Sequence, residues 1–186
     1  EVRDLIGRIL CEVGPIERAI EHLEYALLLD TQQVTTRIDL ARLYGYLDQW
    51  ERVDTLLSYE SQTSSDHGAC EITRARISLW RSGAQPKVAP RDREREGTLF
   101  ATLIDIFNEV RATREFTIIQ SDILRGLINQ TSPQSRLRVL YYQFFAECCA
   151  YTHGPNTPAV QESIAHAQEA GLTDMLWLRY CPVLQG

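Results

Sequence analysis

Ile6-Gly7-Arg8-Ile9-Leu10, Leu40-Ala41-Arg42-Leu43-Tyr44 and Arg74-Ala75-Arg76-Ile77-Ser78 begin at positions 6, 40 and 74, a constant offset of 34 residues. Each segment runs small residue, Arg, aliphatic residue. A fixed period of this length is the mark of stacked supersecondary units that bury their apolar faces against their neighbours. The first two units also agree in their second halves. Ala19, Leu23 and Ala26 fall opposite Val53, Leu57 and Glu60, and Gly14 falls opposite Asp48. Spacings of four and three residues put such side chains on one helix face. The small residues have a geometric reason: antiparallel helices whose axes approach to about 8–10 Å leave little room at the crossing.

These residues resemble the tetratricopeptide repeat, a 34-residue helix–turn–helix unit. Its signature is Leu-Gly and Tyr in the first helix, Ala, an aromatic or Leu, and Ala in the second, then Pro. Ile6, Gly7, Leu10, Ala19, Leu23 and Ala26 occupy those slots in the first unit, with Thr31 in the Pro position. Leu40, Ala41, Tyr44, Val53 and Leu57 occupy them in the second, where Glu60 departs from the small-residue slot. The third unit keeps its first helix, and Pro86, Pro90 and the charged run Arg91-Asp92-Arg93-Glu94-Arg95-Glu96 interrupt its second half. The resemblance implies an all-α fold, a right-handed α-solenoid of helical hairpins with about ten helices, degenerate in its second half. Residues 1–85 are expected to hold the clear repeats, 86–96 an irregular connection, and 97–186 degenerate repeats with a capping helix.

Turn residues supply boundaries. Gly14-Pro15 predicts Pro at the first position of a helix, Asp48-Gln49-Trp50-Glu51 has capping-box spacing, and Ser132-Pro133 and Thr157-Pro158 read as cap-then-Pro starts. Leu99, Leu103, Ile106, Phe107 and Val110 predict one amphipathic helix. Phe116, Ile119, Ile123, Leu127 and Ile128 predict another, ending near Asn129. The stretch 135–152, apolar almost all round, predicts a helix buried between neighbours. Cys148, Tyr151, Val160, Ile164 and Ala167 repeat the internal spacing of the first unit. Gly171, a Thr173 cap and the segment from Met175 to Leu178 predict a short closing helix before Cys181-Pro182. This ending resembles the close of repeat arrays in bacterial signalling proteins that join a kinase or ATPase domain to a helical tail. The start at Glu1-Val2-Arg3 and the end at Leu184-Gln185-Gly186 read as a segment of such a larger protein.

The net charge of −6 argues against a nucleic-acid partner, because phosphate binding rests on clustered Lys and Arg. No apolar run reaches the roughly 20 residues of a membrane span, and no signal peptide is evident. Five widely spaced cysteines, Cys11, Cys70, Cys148, Cys149 and Cys181, form no Cys-x-x-Cys pair. That pattern argues against a disulfide framework or a structural zinc site and fits a reducing cytoplasm. His166 shares a helix face with Glu162 and Glu169, a solvated arrangement rather than a metal site. No metal, cofactor or catalytic motif is expected.

The functional candidates come from the repeat register. In the family, the residue after the small one of the first helix tends to face the concave surface where peptides dock. Arg8, Arg42 and Arg76 would then form a cationic ladder suited to carboxylates of an acidic peptide. Asp4, Glu12 and Asp39 lie within helical reach as competing local partners. The Lys and Asn pairs of the family's carboxylate-clamp subset are absent, which counts against capture of a terminal carboxylate in particular. Tyr46 and Trp80 lie four residues past Arg42 and Arg76, where Glu12 stands in the first unit, and Arg with aromatic residues commonly anchor interfaces. Gly7, Ala41, Ala75, Ala19 and Ala26 are expected to pack the hairpins. The sequence reads as a protein- or peptide-binding scaffold of a signalling protein. Alternatives are intramolecular regulation of an attached kinase or ATPase and an enzyme using Cys148 with His153. Self-association through exposed array ends is also expected.

Overall fold

The computed structural model describes residues 2–58, 63–82 and 98–186. The expected 86–96 connection and Glu60 lie outside the described residues. Every regular element among the described residues is a helix: α1 Val2–Val13, α2 Ile16–Leu29, α3 Val34–Tyr46, α4 Trp50–Leu57, α5 Ser64–Ser78, α6 Thr98–Thr113, α7 Ile118–Gln130, α8 Arg136–His153, α9 Pro158–Glu169, α10 Met175–Tyr180 and α11 Pro182–Gln185. None is long and apolar enough to cross a membrane. The protein divides into two compact units, Glu1–Asp105 and Ile106–Gly186.

In the first unit each of α1 to α4 packs on the next in sequence, and α3 also touches both α1 and α5. The hairpin α1–α2 closes on small residues. Gly7, Ala19 and Ala26 are buried, and a Cβ on Gly7 would fall 2.6 Å from Leu23 Cδ2. Ala41 and Ala75 are buried at the matching positions of α3 and α5. Polar staples join the helices. Thr36 Oγ1 donates to Asp4 Oδ1 on α1 at 2.8 Å, and Thr36 is 1% exposed. Tyr44 on α3 donates its hydroxyl to Glu24 on α2, while Arg52 Nη1 on α4 donates to Tyr44 Oη at 2.6 Å and to Glu24 Oε1 at 3.0 Å. Burial, reinforced by the Glu24 carboxylate, pushes the Tyr44 phenol up to about 12. Arg81 Nη1 reaches Asp54 Oδ2 at 3.1 Å.

Several expected boundaries differ. Pro15 is the residue before α2, in extended conformation, rather than its first helical residue. Gln49 precedes α4 without a side-chain cap; Asp48 turns into the left-handed region at φ 60° and its carboxylate accepts the indole N–H of Trp50. The indole competes for the oxygen that a capping box needs. Ser135, not Ser132, caps α8, accepting from Leu137 N at 3.2 Å. Pro158 does begin α9, yet Thr157 makes no capping bond. Asp174, not Thr173, caps α10, because its carboxylate reaches Trp177 N at 2.8 Å.

The second unit is built on α8, which packs against α7, α9 and α11. Tyr141 and every residue from Gln143 to Ala150 are buried, so this helix meets neighbours on all sides. Phe144 takes the edge of Phe107 at 5.1 Å between ring centroids, and Phe145 that of Phe116 at 5.3 Å. Ile106, Phe107 and Val110 of α6 are buried; in the part of α6 that belongs to the first unit Leu103 is buried and Leu99 exposed. On α7 the buried row is Gln120, Leu124 and Ile128; Ile119 and Ile123 of the expected face are exposed, and Leu127 is half-buried. The cause is a capping box that hydrophobic periodicity does not reveal. Thr117 and Gln120 bond reciprocally, and Gln120 Nε2 donates to Glu109 Oε2 at 2.7 Å, turning Gln120 inward. Glu147, fully buried on α8, accepts the indole N–H of the equally buried Trp177 at 2.6 Å.

Candidate functional site

Five of the six residues singled out for binding form a continuous run of contacts across α1, α3 and α5. Arg8 Nε on α1 lies 3.8 Å from Asp39 Oδ2 on α3, and Arg42 Nη1 lies 3.4 Å from Asp39 Oδ1. One helical turn on, Arg42 Nη2 donates to Tyr46 Oη at 3.5 Å. Tyr46 stacks on Trp80 of the α5 segment, ring centroids 5.1 Å apart and planes 22° from parallel. The Arg76 guanidinium lies over the Trp80 ring at 5.5 Å. Gly45 makes the crossing possible, since a Cβ there would meet Trp80 Cε3 at 3.2 Å. Glu12 is half-buried on α1.

The cations in this row differ in access. The Arg8 side chain is 47% exposed, Arg42 only 18%, and Arg76 is buried. Tyr46 and Trp80 are buried too, so their rings hold α3 to α5 instead of standing as free anchors. Of the three acidic neighbours within helical reach, Asp39 pairs with the row, whereas Asp4 takes Thr36. The row therefore has a solvent-facing guanidinium at Arg8 and a less exposed one at Arg42, with the Asp39 carboxylate between them. The Arg8–Asp39 pair is long, 3.8 Å, and open to solvent on its Arg8 side; solvent-screened pairs are worth about 0–1 kcal/mol, which leaves Arg8 able to exchange partners at small cost.

The second unit holds a cleft that is not foreshadowed by any local sequence pattern. About 240 Å³ in volume, it opens between α7, α8 and α9. Arg125 and Asn129 form one wall, Glu162, Ser163 and His166 the other, and Tyr142 and Phe145 the floor. Arg125 stacks over Phe145 at 5.4 Å, and the His166 ring lies 5.4 Å from that of Tyr142. Helical spacing puts Glu162 and His166 on one face. Their facing partners come from two other helices, which periodicity does not join.

All five cysteines are buried thiols outside any disulfide. Burial pushes the Cys70 and Cys149 thiols up to about 11, so both are protonated at neutral pH and poor nucleophiles. Among the described residues no group of three or more His, Cys, Asp or Glu side chains is placed to hold a metal ion. Comparison with protein families, curated proteins and solved structures finds no match for this sequence.

Proposed function

We propose that the chain is a protein-binding module of tetratricopeptide-like hairpins, stacked as a right-handed solenoid, within a cytoplasmic signalling or regulatory protein. The observation that carries this reading is the unbroken run Arg8–Asp39–Arg42–Tyr46–Trp80–Arg76, which draws one side chain after another from three first helices onto a shared strip. The contacts of α3 with both α1 and α5 support it, since alternate helices meet where hairpins stack in register. Asp39 marks the chemistry of the partner. A carboxylate already lies between Arg8 and Arg42, and an acidic peptide would take over its place beside Arg8. The buried aromatic pair beneath keeps the cations in position.

Binding of Asp/Glu-rich fluorescent peptides, followed by anisotropy at two salt concentrations, tests this. The acidic peptides should bind more tightly than neutral ones and weaken as salt rises. Arg8→Glu should lower affinity at least about tenfold with helicity unchanged, because charge reversal replaces attraction with like-charge repulsion. Equal binding of acidic and neutral peptides, or an unaffected Arg8→Glu variant, would overturn the reading.

A further inference from the structure

The cleft between α7, α8 and α9 has its hydrogen-bonding groups sorted by kind. Arg125 and Asn129 stand one turn apart on the α7 wall. A guanidinium only donates, and the Asn129 amide adds N–H groups beside it. Glu162 and Ser163 stand on the α9 wall. A carboxylate only accepts. Ser163, 6% exposed, gives its hydroxyl proton to the Ala159 carbonyl oxygen at 2.7 Å, which leaves its oxygen lone pairs for the cleft. Donors therefore line one side and acceptors the other.

The two charges face each other without being neutralised. Among the described residues, none forms an ion pair or a hydrogen bond with the Arg125 guanidinium or the Glu162 carboxylate, and both residues are exposed. Stacking over Phe145, 5.4 Å from the ring centroid, holds the Arg125 guanidinium at its wall. This arrangement selects by charge pattern. A plain anion on Arg125 meets the Glu162 carboxylate, and a plain cation on Glu162 meets Arg125; like-charge juxtaposition counts against each. A zwitterion satisfies both walls.

The floor is apolar. Ile128 and Phe145 are 5% and 7% exposed, with half-buried Tyr142 beside them. At roughly 30 Å³ per water, the 240 Å³ cleft holds about eight waters, space for a ligand of about ten non-hydrogen atoms. We propose that this cleft binds a free apolar α-amino acid, its carboxylate on Arg125 and Asn129, its ammonium on Glu162 and Ser163, and its side chain on the floor. In such a molecule all three groups leave one carbon, so a small ligand meets both walls and the floor together. Residues of the second unit alone form this site, and it does not rest on the Arg8 strip.

Equilibrium dialysis of the whole chain against labelled L-leucine and L-phenylalanine tests the proposal. Both should bind with a dissociation constant below about 1 mM. Glycine, which has no side chain for the floor, should bind at least about tenfold more weakly. N-acetyl-leucine and leucine amide each lack one charge and stand for the last and first residues of a peptide; each should also lose at least about tenfold. Arg125→Gln and Glu162→Gln, at exposed positions, should leave the circular dichroism spectrum unchanged and weaken leucine binding by a similar factor. In Glu162→Gln, leucine and its N-acetyl form should no longer be distinguished. Arg18→Gln, at an exposed arginine of the first unit, should change nothing. No binding by about 10 mM overturns the proposal. So does equal or tighter binding of glycine or either blocked form, or leucine binding that Arg125→Gln or Glu162→Gln leaves unaltered.

Discussion

Replacing Gly7 with alanine measures how closely α1 and α2 approach. The added Cβ would lie 2.6 Å from Leu23 Cδ2, 2.7 Å from Leu23 Cγ and 3.3 Å from His22 Cβ. Ordinary carbon contacts are about 3.5–4.0 Å, so Leu23 must retreat by about 1 Å. Because Cγ is a stem atom and the side chain is fully buried, rotating the tip does not relieve the clash. Overpacking of this kind costs about 1–3 kcal/mol, here toward the upper end. Alanine also returns about 1 kcal/mol of helix propensity. The net expectation is a loss of about 1–2 kcal/mol. Gly126, inside α7 with nothing within 4 Å of an added Cβ, provides the control. Gly126→Ala should stabilise its unit by about 0.5–1 kcal/mol from propensity alone. Urea titrations followed by far-ultraviolet circular dichroism compare the two. In a Leu23→Ala background the space is vacated, and Gly7→Ala should turn neutral or stabilising, a coupling of about 1–3 kcal/mol. If Gly7→Ala alone stabilises the protein as Gly126→Ala does, the close crossing is wrong and the physical basis of the repeat register goes with it.

Two further outcomes rest on local chemistry. The Tyr44 phenol is pushed from about 10 up to about 12 by burial and Glu24, so the folded state favours its neutral form. The associated stability is complete below pH 10 and is lost as pH rises through about 12; Tyr44→Phe should flatten that alkaline decline, and an unchanged pH profile would exclude the Glu24–Tyr44–Arg52 staple as its source. On α7, Ile119→Asn should change stability by no more than about 0.5 kcal/mol, whereas Leu124→Ala should cost about 2–5 kcal/mol. The reverse order in urea titrations would return the buried face to Ile119 and Ile123.

The helical hairpins are legible in the sequence because crossing points tolerate few residue types. Gly7, Ala19 and Ala41 are buried where any larger side chain would meet a neighbour, so small residues must repeat in register. Surface-facing choices are less constrained, and there periodicity misleads. On α7 both candidate rows are apolar, since Ile118, Ile119 and Ile123 compete with Leu124 and Ile128. The deciding residue is Gln120, which a hydrophobic pattern rejects and which is buried through its bonds to Thr117 and Glu109. Asp48 likewise has the spacing of a cap, but an indole two residues away takes its carboxylate. At the candidate strip, the sequence puts Arg8, Arg42 and Arg76 on equivalent positions. The four-residue spacing brings Trp80 within reach of Arg76, but it does not reveal that Tyr46 of α3 stacks on that ring, since stacking across helices depends on the packing distance at Gly45. The cleft of Arg125, Tyr142 and Glu162 is invisible for the same reason.

The pairing of Glu147 with Trp177 has a bearing on synthesis. The α10 and α11 helices have six and four residues, far short of the roughly 12–15 at which a helix begins to hold itself together in water, so their form is borrowed from α8. The carboxylate, meanwhile, is made 30 residues before the indole that caps it. While the polypeptide grows from the ribosome, α8 carries an acid amid its most apolar stretch and lacks that donor. The interior of the second unit therefore becomes solid only once Trp177 has been made, and a nascent polypeptide halted before it is open to chaperones and proteases.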